Sequence, residues 1–247
     1  MRHLLSILLA AAFALSASSA FAGGGDVIDH SGFEALLEKY VDDEGRVAYA
    51  TWQKNEEDLR KLRGYVDKIA EADPSDHGDE AKLAFYINAY NATVLGSIIN
   101  HWPTASPMKI KGFFKVETHP IAGEEMTLDT LEHGLIRKKF DEPRIHFVLV
   151  CAAKSCPRLR QQALTADNLE ATLQAAAEEF IPRATELTEG KIRTSQLFNW
   201  FAEDFEESAG SVRAYLAKYT DGKVKEALGD EEVEVEFTEY DWAVNAR

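Results

Sequence analysis

The chain has 247 residues, and its 42 acidic side chains outnumber its 27 basic ones to give a formal net charge of −15. This charge disfavours nucleic acids and anionic membranes as partners, because binding phosphate groups requires clustered Lys and Arg. The length suits one domain with a sizeable core, and no repeat, low-complexity tract or long linker divides the sequence.

The first 22 residues have the order of a secretory signal peptide. Arg2 and His3 precede an apolar run over residues 4–15, and Ala20-Phe21-Ala22 offers a small-residue cleavage site. The run is shorter than the roughly 20 residues that span a bilayer, and no later segment comes closer. We therefore predict a bacterial protein exported to the periplasm or the medium, without a membrane span, in which residues 23–247 form a single domain.

The first half of the chain predicts four helices and one strand. Apolar residues recur at helical spacing over residues 33–41 and 56–70, and residues 79–101 are apolar around most of the helical wheel, as in a buried helix. Residues 109–117 predict a strand. Thr127 is positioned as the N-cap of a further helix that extends to residue 140.

The second half mixes shorter helices and strands. An apolar strand is predicted through His146 to Cys151. The other predicted elements are helices at 167–180, after the N-cap Ser195 and at 211–219, and strands at 191–194 and 233–237. Because helices predominate and no regular crossovers link the strands, we predict an α+β fold, mainly helical, with a small and mostly antiparallel sheet.

The segment over residues 144–160 holds both cysteines of the chain and one histidine. Side chains alternate along a strand, so His146 and Cys151 are expected on opposite faces. Cys156 follows a turn that could bring it to either face, which makes it the better candidate nucleophile. Lys154 and Arg158 are near enough in sequence to favour its thiolate.

Two other uses of these residues stay open, whereas a metal site is disfavoured. The cysteines and His146 could be core residues, since Cys is among the most buried residue types. In an oxidising compartment the two cysteines could form a small redox disulfide, although separate roles for the two sulfurs are favoured. No metal or cofactor is predicted. No two of the available ligands have the close spacing of a structural zinc site; these ligands are His119, His133, His146, Cys151 and Cys156.

Three polar residues of the predicted helices are further candidates. Glu132 lies at the edge of an apolar stripe, where its carboxylate could orient His146 or anchor the helix through an ion pair. Asn88 and Asn91, three residues apart on the buried helix, could bind substrate or hold the backbone of a neighbouring loop. An anionic ligand is also possible near a cluster of basic residues, namely Arg137, Lys138, Lys139, Arg144, Lys154, Arg158 and Arg160.

Six stretches of the sequence together resemble the domain of unknown function 547 family. They include Phe-Tyr-Ile-Asn-Ala-Tyr-Asn-Ala at 85–92 and Ser-Cys-Pro at 155–157; the other stretches are residues 127–133, 143–151, 198–205 and 239–245. The resemblance implies that His146, Cys151, Cys156, Glu132 and Asn91 belong to the family pattern. A more distant similarity to papain-like and transglutaminase-like folds implies a helix packed on a small sheet.

These observations lead to one favoured function and two alternatives. The favoured function is an exported thiol-dependent enzyme for acyl transfer or for peptide or amide hydrolysis, with a small molecule or peptide as substrate. Its catalytic residues would be Cys156, His146 and Glu132, and its substrate-binding residues would be Asn88, Asn91, Arg144 and Cys151. The alternatives are a non-catalytic ligand-binding or envelope-interaction module of the periplasm, and a thiol/disulfide redox protein.

Overall fold

Helices form most of the regular backbone in the computed structural model, which describes residues 25–247. The helices are α1 (Ser31–Tyr40), α2 (Tyr49–Trp52), α3 (Glu56–Glu71), α4 (Asp79–Asn100), α5 (Arg137–Lys139), α6 (Leu169–Ala184), α7 (Leu197–Trp200), α8 (Ala202–Ala209), α9 (Val212–Tyr219) and α10 (Gly222–Leu228). A π-helical segment, Thr130–Ile136, runs directly into α5, and short 3-10 turns occupy Pro107–Lys109 and Pro143–Phe147. The predicted signal peptide lies outside the described residues.

Two small sheets accompany the helices. The strands are β1 (Thr118–Ile121), β2 (Glu124–Thr127), β3 (Glu186–Thr188), β4 (Lys191–Thr194) and β5 (Val235–Phe237). β1 and β2 form an antiparallel hairpin, while β4 pairs antiparallel with β3 and parallel with β5. The predicted class is therefore confirmed: the fold is mainly helical α+β with small, mostly antiparallel sheets.

The long helix α4 lies at the centre of the core. Its apolar side chains are buried on nearly every side, with Phe85, Ile87 and Ile98 fully enclosed. Helices α2 and α3 and the π-helical segment pack around it. This arrangement explains why the sequence of α4 is apolar around the whole helical wheel instead of along one stripe.

Side-chain hydroxyls cap two helix starts, and the cap at Thr127 was predicted from the sequence. The Thr127 hydroxyl accepts a hydrogen bond from the Thr130 N–H at 3.0 Å, and the Ser211 hydroxyl accepts one from the Ala214 N–H at 3.1 Å. Both bonds satisfy amide groups that the first turn of a helix leaves without partners. No helix within residues 25–247 combines the length and hydropathy needed to cross a bilayer.

Two predicted strands were wrong. Residues 109–117 form a turn around Gly112, whose φ of +80° favours glycine, and strand β1 begins only at Thr118. The predicted strand through His146 is a 3-10 turn, Pro143–Phe147, followed by irregular chain outside both sheets. His146 and Cys151 are therefore not placed on opposite faces of one strand.

The physical reason for the second error is a side chain that replaces a neighbouring strand. The Asn91 amide donates to the Val148 carbonyl at 2.9 Å, and its oxygen accepts from the Val150 N–H at 2.9 Å. Buried backbone groups need hydrogen-bond partners, and here an asparagine of α4 supplies them. The apolar run after His146 is thus fixed against α4 without joining a sheet.

Candidate active site

A cavity of about 440 Å³ opens beside α4 and gathers residues from six separate parts of the chain. We call it the aromatic pocket. Tyr90 of α4, Glu132 of the π-helical segment and His146 all line it. The loop carrying Cys151 and Cys156 also lines it, and its remaining walls include Trp200, Phe201, Tyr240 and Trp242. The pocket therefore contains all three residues predicted to be catalytic.

Cys151 and Cys156 are joined by a disulfide bond, with their α-carbons 6.3 Å apart. The expectation that the two sulfurs have separate roles does not describe this state of the protein. The chain turns back between them at Ala152, whose φ is +61°. The C-terminal segment holds this loop in place, because the Lys154 N–H donates to the Ala243 carbonyl at 2.8 Å.

Two hydrogen-bond donors lie beside the sulfur of Cys156. The Cys151 backbone N–H donates to Cys156 Sγ at 2.9 Å, and the Tyr240 hydroxyl lies 3.2 Å from the sulfurs of both cysteines. Burial, with a contribution from the Glu132 charge, raises the pKa of Tyr240, so its phenol stays protonated and able to donate. Donors in these positions stabilise a thiolate at Cys156 once the bond is opened.

His146 is a buried residue of the pocket lining, and Asp204 orients it. Its Nε2 lies 2.6 Å from Asp204 Oδ2, and its ring stacks on Phe201 with the two centroids 3.8 Å apart. Burial lowers the pKa of His146, while the hydrogen bond to Asp204 opposes that effect. When Nε2–H donates to the carboxylate, the neutral ring has its lone pair on Nδ1, which has no hydrogen-bond partner in the described chain.

Asp204 holds His146 and is itself held by Arg137. Arg137 donates to both oxygens of this carboxylate, with Nε 2.7 Å from Oδ2. Burial alone would raise the pKa of Asp204, but hydrogen bonds from His146 and Arg137 outweigh it and keep the pKa well below its usual range. Asp204 is therefore ionised at neutral pH, and it can both fix the imidazole tautomer and stabilise an imidazolium.

The sequence assigned the orienting role to Glu132, and the structure places a different carboxylate there. Asp204 follows His146 by 58 residues, and the only sequence signal for it was its place in the stretch 198–205. Glu132 lines the same pocket and forms no ion pair with any side chain of residues 25–247. Its carboxylate lies close to Tyr90, whose pKa is raised by burial first and then by the charge of Glu132.

Three predicted substrate-binding residues do not line the aromatic pocket. Asn91 holds the backbone after His146, and Asn88 holds that of Leu164 through bonds of 2.7 and 3.0 Å. Arg144 is paired with Glu142 and with Glu170 on α6. These residues therefore have structural roles instead of the predicted substrate-binding role. The asparagines brace loops, and Arg144 anchors α6.

Aromatic side chains form the outer part of the pocket. The rings of Trp200, Tyr240 and Trp242 pack on one another with centroid distances of 4.8 to 5.9 Å, and Phe114 packs on Trp242. Trp200 is 44% exposed, which is high for so large an apolar side chain. Such a surface suits an apolar or aromatic group of a ligand. In the part of the chain that the structure covers, no cluster of three His, Cys, Asp or Glu side chains is arranged to hold a metal ion.

The fold and this pocket define a mainly helical α+β protein in which a cysteine pair and a histidine bound to an aspartate line one cavity. Residues 74–181 match the family model described as "Protein of unknown function, DUF547". The match covers Glu132, His146, Cys151 and Cys156, whereas Asp204 and Tyr240 lie beyond it. No curated protein and no solved structure matches the chain, so the resemblance to papain-like and transglutaminase-like folds is not confirmed.

Proposed function

We propose that this protein is a thiol-dependent enzyme that transfers or hydrolyses acyl groups, with Cys156 as nucleophile and His146 as base. The observation that carries the proposal is that His146, bound through Nε2 to Asp204, lines the same pocket as Cys156. A purely structural disulfide requires neither a pocket nor an oriented imidazole beside it. A cysteine nucleophile requires both.

The first step is reduction of the disulfide by a dithiol, which becomes oxidised as Cys151 and Cys156 become thiols. The Cys156 proton then passes to Nδ1 of His146 as the sulfur forms a bond to the carbonyl carbon of the substrate. His146 returns that proton to the leaving amine or alcohol, whose bond to the carbonyl carbon breaks. Water or an acceptor amine finally releases the acyl group from the thioester.

The charged groups around His146 suit this proton transfer. Burial keeps the imidazole neutral at rest, so it can accept a proton, and Asp204 lies 2.6 Å away to stabilise the imidazolium that forms. Asp204 therefore replaces Glu132 as the orienting acid of the mechanism. Glu132 then serves to bind a hydrogen-bond donor or a cationic group of the substrate.

The test compares two serine variants that differ only in which sulfur is removed. Reduced wild-type protein is assayed with p-nitrophenyl esters and N-acyl peptide amides, and we expect Cys156→Ser to be inactive with or without reductant. We expect Cys151→Ser to be active even without reductant, because it cannot form the disulfide. Activity retained in Cys156→Ser would overturn the proposal, and ligand binding without turnover in the wild type would favour a binding module.

A second candidate function, thiol/disulfide exchange, is favoured by the bonded cysteine pair on the pocket wall. In that reaction a substrate dithiol is oxidised and the protein disulfide is reduced, so both sulfurs are required. We therefore expect both serine variants to lose the exchange reaction, whereas acyl transfer should be lost only in Cys156→Ser. Wild-type protein that stays fully oxidised across a series of glutathione redox buffers would exclude this candidate.

Export to the periplasm or the medium is part of the proposal, although the predicted signal lies outside the described residues. An oxidising compartment would keep Cys151 and Cys156 bonded. Protein recovered from the exported fraction should then contain the disulfide, and alkylation followed by mass spectrometry measures it directly.

A further inference from the structure

A second cavity, of about 210 Å³, lies on the other side of the loop that carries Cys156. We call it the arginine pocket. Its charged lining consists of Lys154, Arg158, Arg160, Arg183, Glu44 and Glu179. Four cationic side chains thus face two carboxylates, although the whole chain has a net charge of −15.

The positive charge in the arginine pocket is only partly neutralised. Three arginines share one carboxylate: Glu179 lies 2.6 Å from Arg158 and 3.3 Å from both Arg160 and Arg183. The ammonium group of Lys154 is exposed and forms no ion pair with the side chains that the structure describes. An excess of two positive charges therefore remains around one small cavity.

Unsatisfied hydrogen-bond donors on Arg158 and Arg160 also favour a bound anion. The Nε atoms of Arg158 and Arg160 are buried, and neither finds an acceptor within residues 25–247. Burial lowers the pKa of the Arg160 guanidinium, since the nearby Glu179 only partly offsets the cost of removing its charge from water. A bound anion would stabilise these guanidinium groups.

Two other arginines of the basic cluster are paired elsewhere, and Lys138 and Lys139 lie on α5, outside both cavities. Arg137 binds Asp204, and Arg144 binds Glu142 and Glu170. Lys154, Arg158 and Arg160 are left together, and α6 adds Arg183 from its last turn. The fold therefore places an excess of positive charge next to the disulfide loop.

We infer that the arginine pocket binds an oxyanion, a carboxylate or a phosphate group, carried by the substrate. This rests on the proposed function, because Cys156 and Pro157 line both the arginine pocket and the aromatic pocket. A substrate with an apolar part and an anionic part could occupy both cavities across the reactive sulfur. The substrate class is then an anionic acyl compound, such as a peptide with a free carboxylate or a phosphorylated acyl donor.

The test measures anion binding to the disulfide-bonded protein, in which the proposed acyl chemistry cannot take place. Inorganic phosphate and acetate are titrated separately by calorimetry at constant ionic strength. The variant Lys154→Gln/Arg183→Gln changes the two exposed cations of the pocket, and Lys138→Gln/Lys139→Gln removes the same charge from α5, outside both cavities.

We expect saturable binding of at least one anion, weakened by about tenfold in Lys154→Gln/Arg183→Gln and unchanged in the α5 control. Saturation by phosphate alone would identify a phosphate ligand, and saturation by acetate a carboxylate ligand. Equal affinity in the pocket variant and the wild type, or no saturable binding of either anion, would overturn the inference. Because no turnover is involved, that result leaves the role of Cys156 untouched, and an active Cys156→Ser variant would leave the anion site untouched.

Discussion

His146 and Asp204 form a direct hydrogen bond of 2.6 Å, although 58 residues separate them in the sequence. The bond depends on α8, which places Asp204 in its first turn between Phe201 and Phe205. Phe201 stacks on the imidazole and Phe205 meets it edge-on, with centroids 3.8 and 5.6 Å away. Packing therefore fixes the imidazole plane, and the carboxylate fixes its tautomer.

Replacing Asp204 by Asn tests this relationship. Burial lowers the pKa of His146 and the Asp204 carboxylate opposes that effect, so the Asp204→Asn variant should have a His146 pKa below that of the wild type. Acyl-transfer activity of the reduced protein should fall by about a hundredfold or more, because the imidazolium loses its stabilising charge. NMR titration of the histidine ring measures the first effect, and steady-state kinetics measures the second.

Glu203→Gln is the matched control for that experiment. Glu203 is exposed, adjacent in sequence and equal in charge, and it makes no hydrogen bond to His146. We expect its His146 pKa and activity to stay close to those of the wild type. An unchanged His146 pKa in Asp204→Asn would contradict the assignment of Asp204 as the orienting acid.

Asn91 should matter for stability. Its side chain satisfies the buried carbonyl of Val148 and the buried N–H of Val150. Asn91→Ala removes both bonds, and we expect the free energy of unfolding to fall by about 2 kcal/mol or more. Urea denaturation measures the loss, and Asn100→Ala at the exposed end of α4 should change the same quantity by less than about 0.5 kcal/mol.

A loss confined to activity, with unfolding unchanged, would instead give Asn91 the substrate-binding role that the sequence suggested. The same measurement on Asn88→Ala extends the comparison, because Asn88 makes the equivalent pair of bonds to Leu164.

Sequence patterns predicted the parts of this fold that depend on local chemistry. Helical spacing located α1, α3 and α4, and the side chain of Thr127 acts at the helix start where it was expected. The error after His146 arose because apolar alternation describes an extended chain without saying what satisfies its backbone. Here Asn91 does so, and no periodicity of the strand segment reveals that.

The candidate site was predictable in its residue types and unpredictable in its pairings. Glu132, His146 and Cys156 do line one pocket. The acid that contacts His146 is nevertheless Asp204, 58 residues further along the chain. The second donor to the sulfur of Cys156 is Tyr240, which follows that cysteine by 84 residues. Both contacts depend on how elements that are far apart in the sequence pack together. No local pattern of residues encodes that packing.

Stability should fall when the protein is acidified below neutral pH. Burial lowers the pKa values of His30, His119 and His146 from their usual 6.5, so the folded protein holds these rings neutral while the unfolded chain protonates them. The unfolded state therefore binds more protons below pH 6.5, and the free energy of unfolding decreases as the pH falls. For each histidine the effect is on the order of 1 kcal/mol per pH unit.

Urea denaturation at pH 7.5, 6.5 and 5.5 checks this dependence. His30 is a suitable probe, because its Nδ1 is 2.6 Å from the Tyr65 hydroxyl and its Nε2 is buried without a partner in the described chain. In His30→Gln the difference in unfolding free energy between pH 7.5 and 5.5 should be smaller than in the wild type. Stability that rises on acidification would show that these histidines are not held neutral.

Removing the hydroxyl of Tyr240 should make the reduced protein less reactive. That hydroxyl lies 3.2 Å from both sulfurs, and burial keeps it protonated, so it is a donor to a thiolate at Cys156. In Tyr240→Phe the Cys156 thiolate still accepts a hydrogen bond from the Cys151 backbone N–H but no longer accepts one from a phenol. We expect alkylation of Cys156 by iodoacetamide at pH 7 to slow by about three- to tenfold, because a smaller fraction of the sulfur is ionised.

Tyr90→Phe is the control, since Tyr90 lines the same pocket and its hydroxyl is close to Glu132 instead of the sulfurs. It removes the same atom from the same cavity, and the alkylation rate should match that of the wild type. Equal slowing in both variants would point to a general change in the pocket. Slowing only in Tyr90→Phe would show that Glu132 and its neighbours, and not Tyr240, control the reactive sulfur.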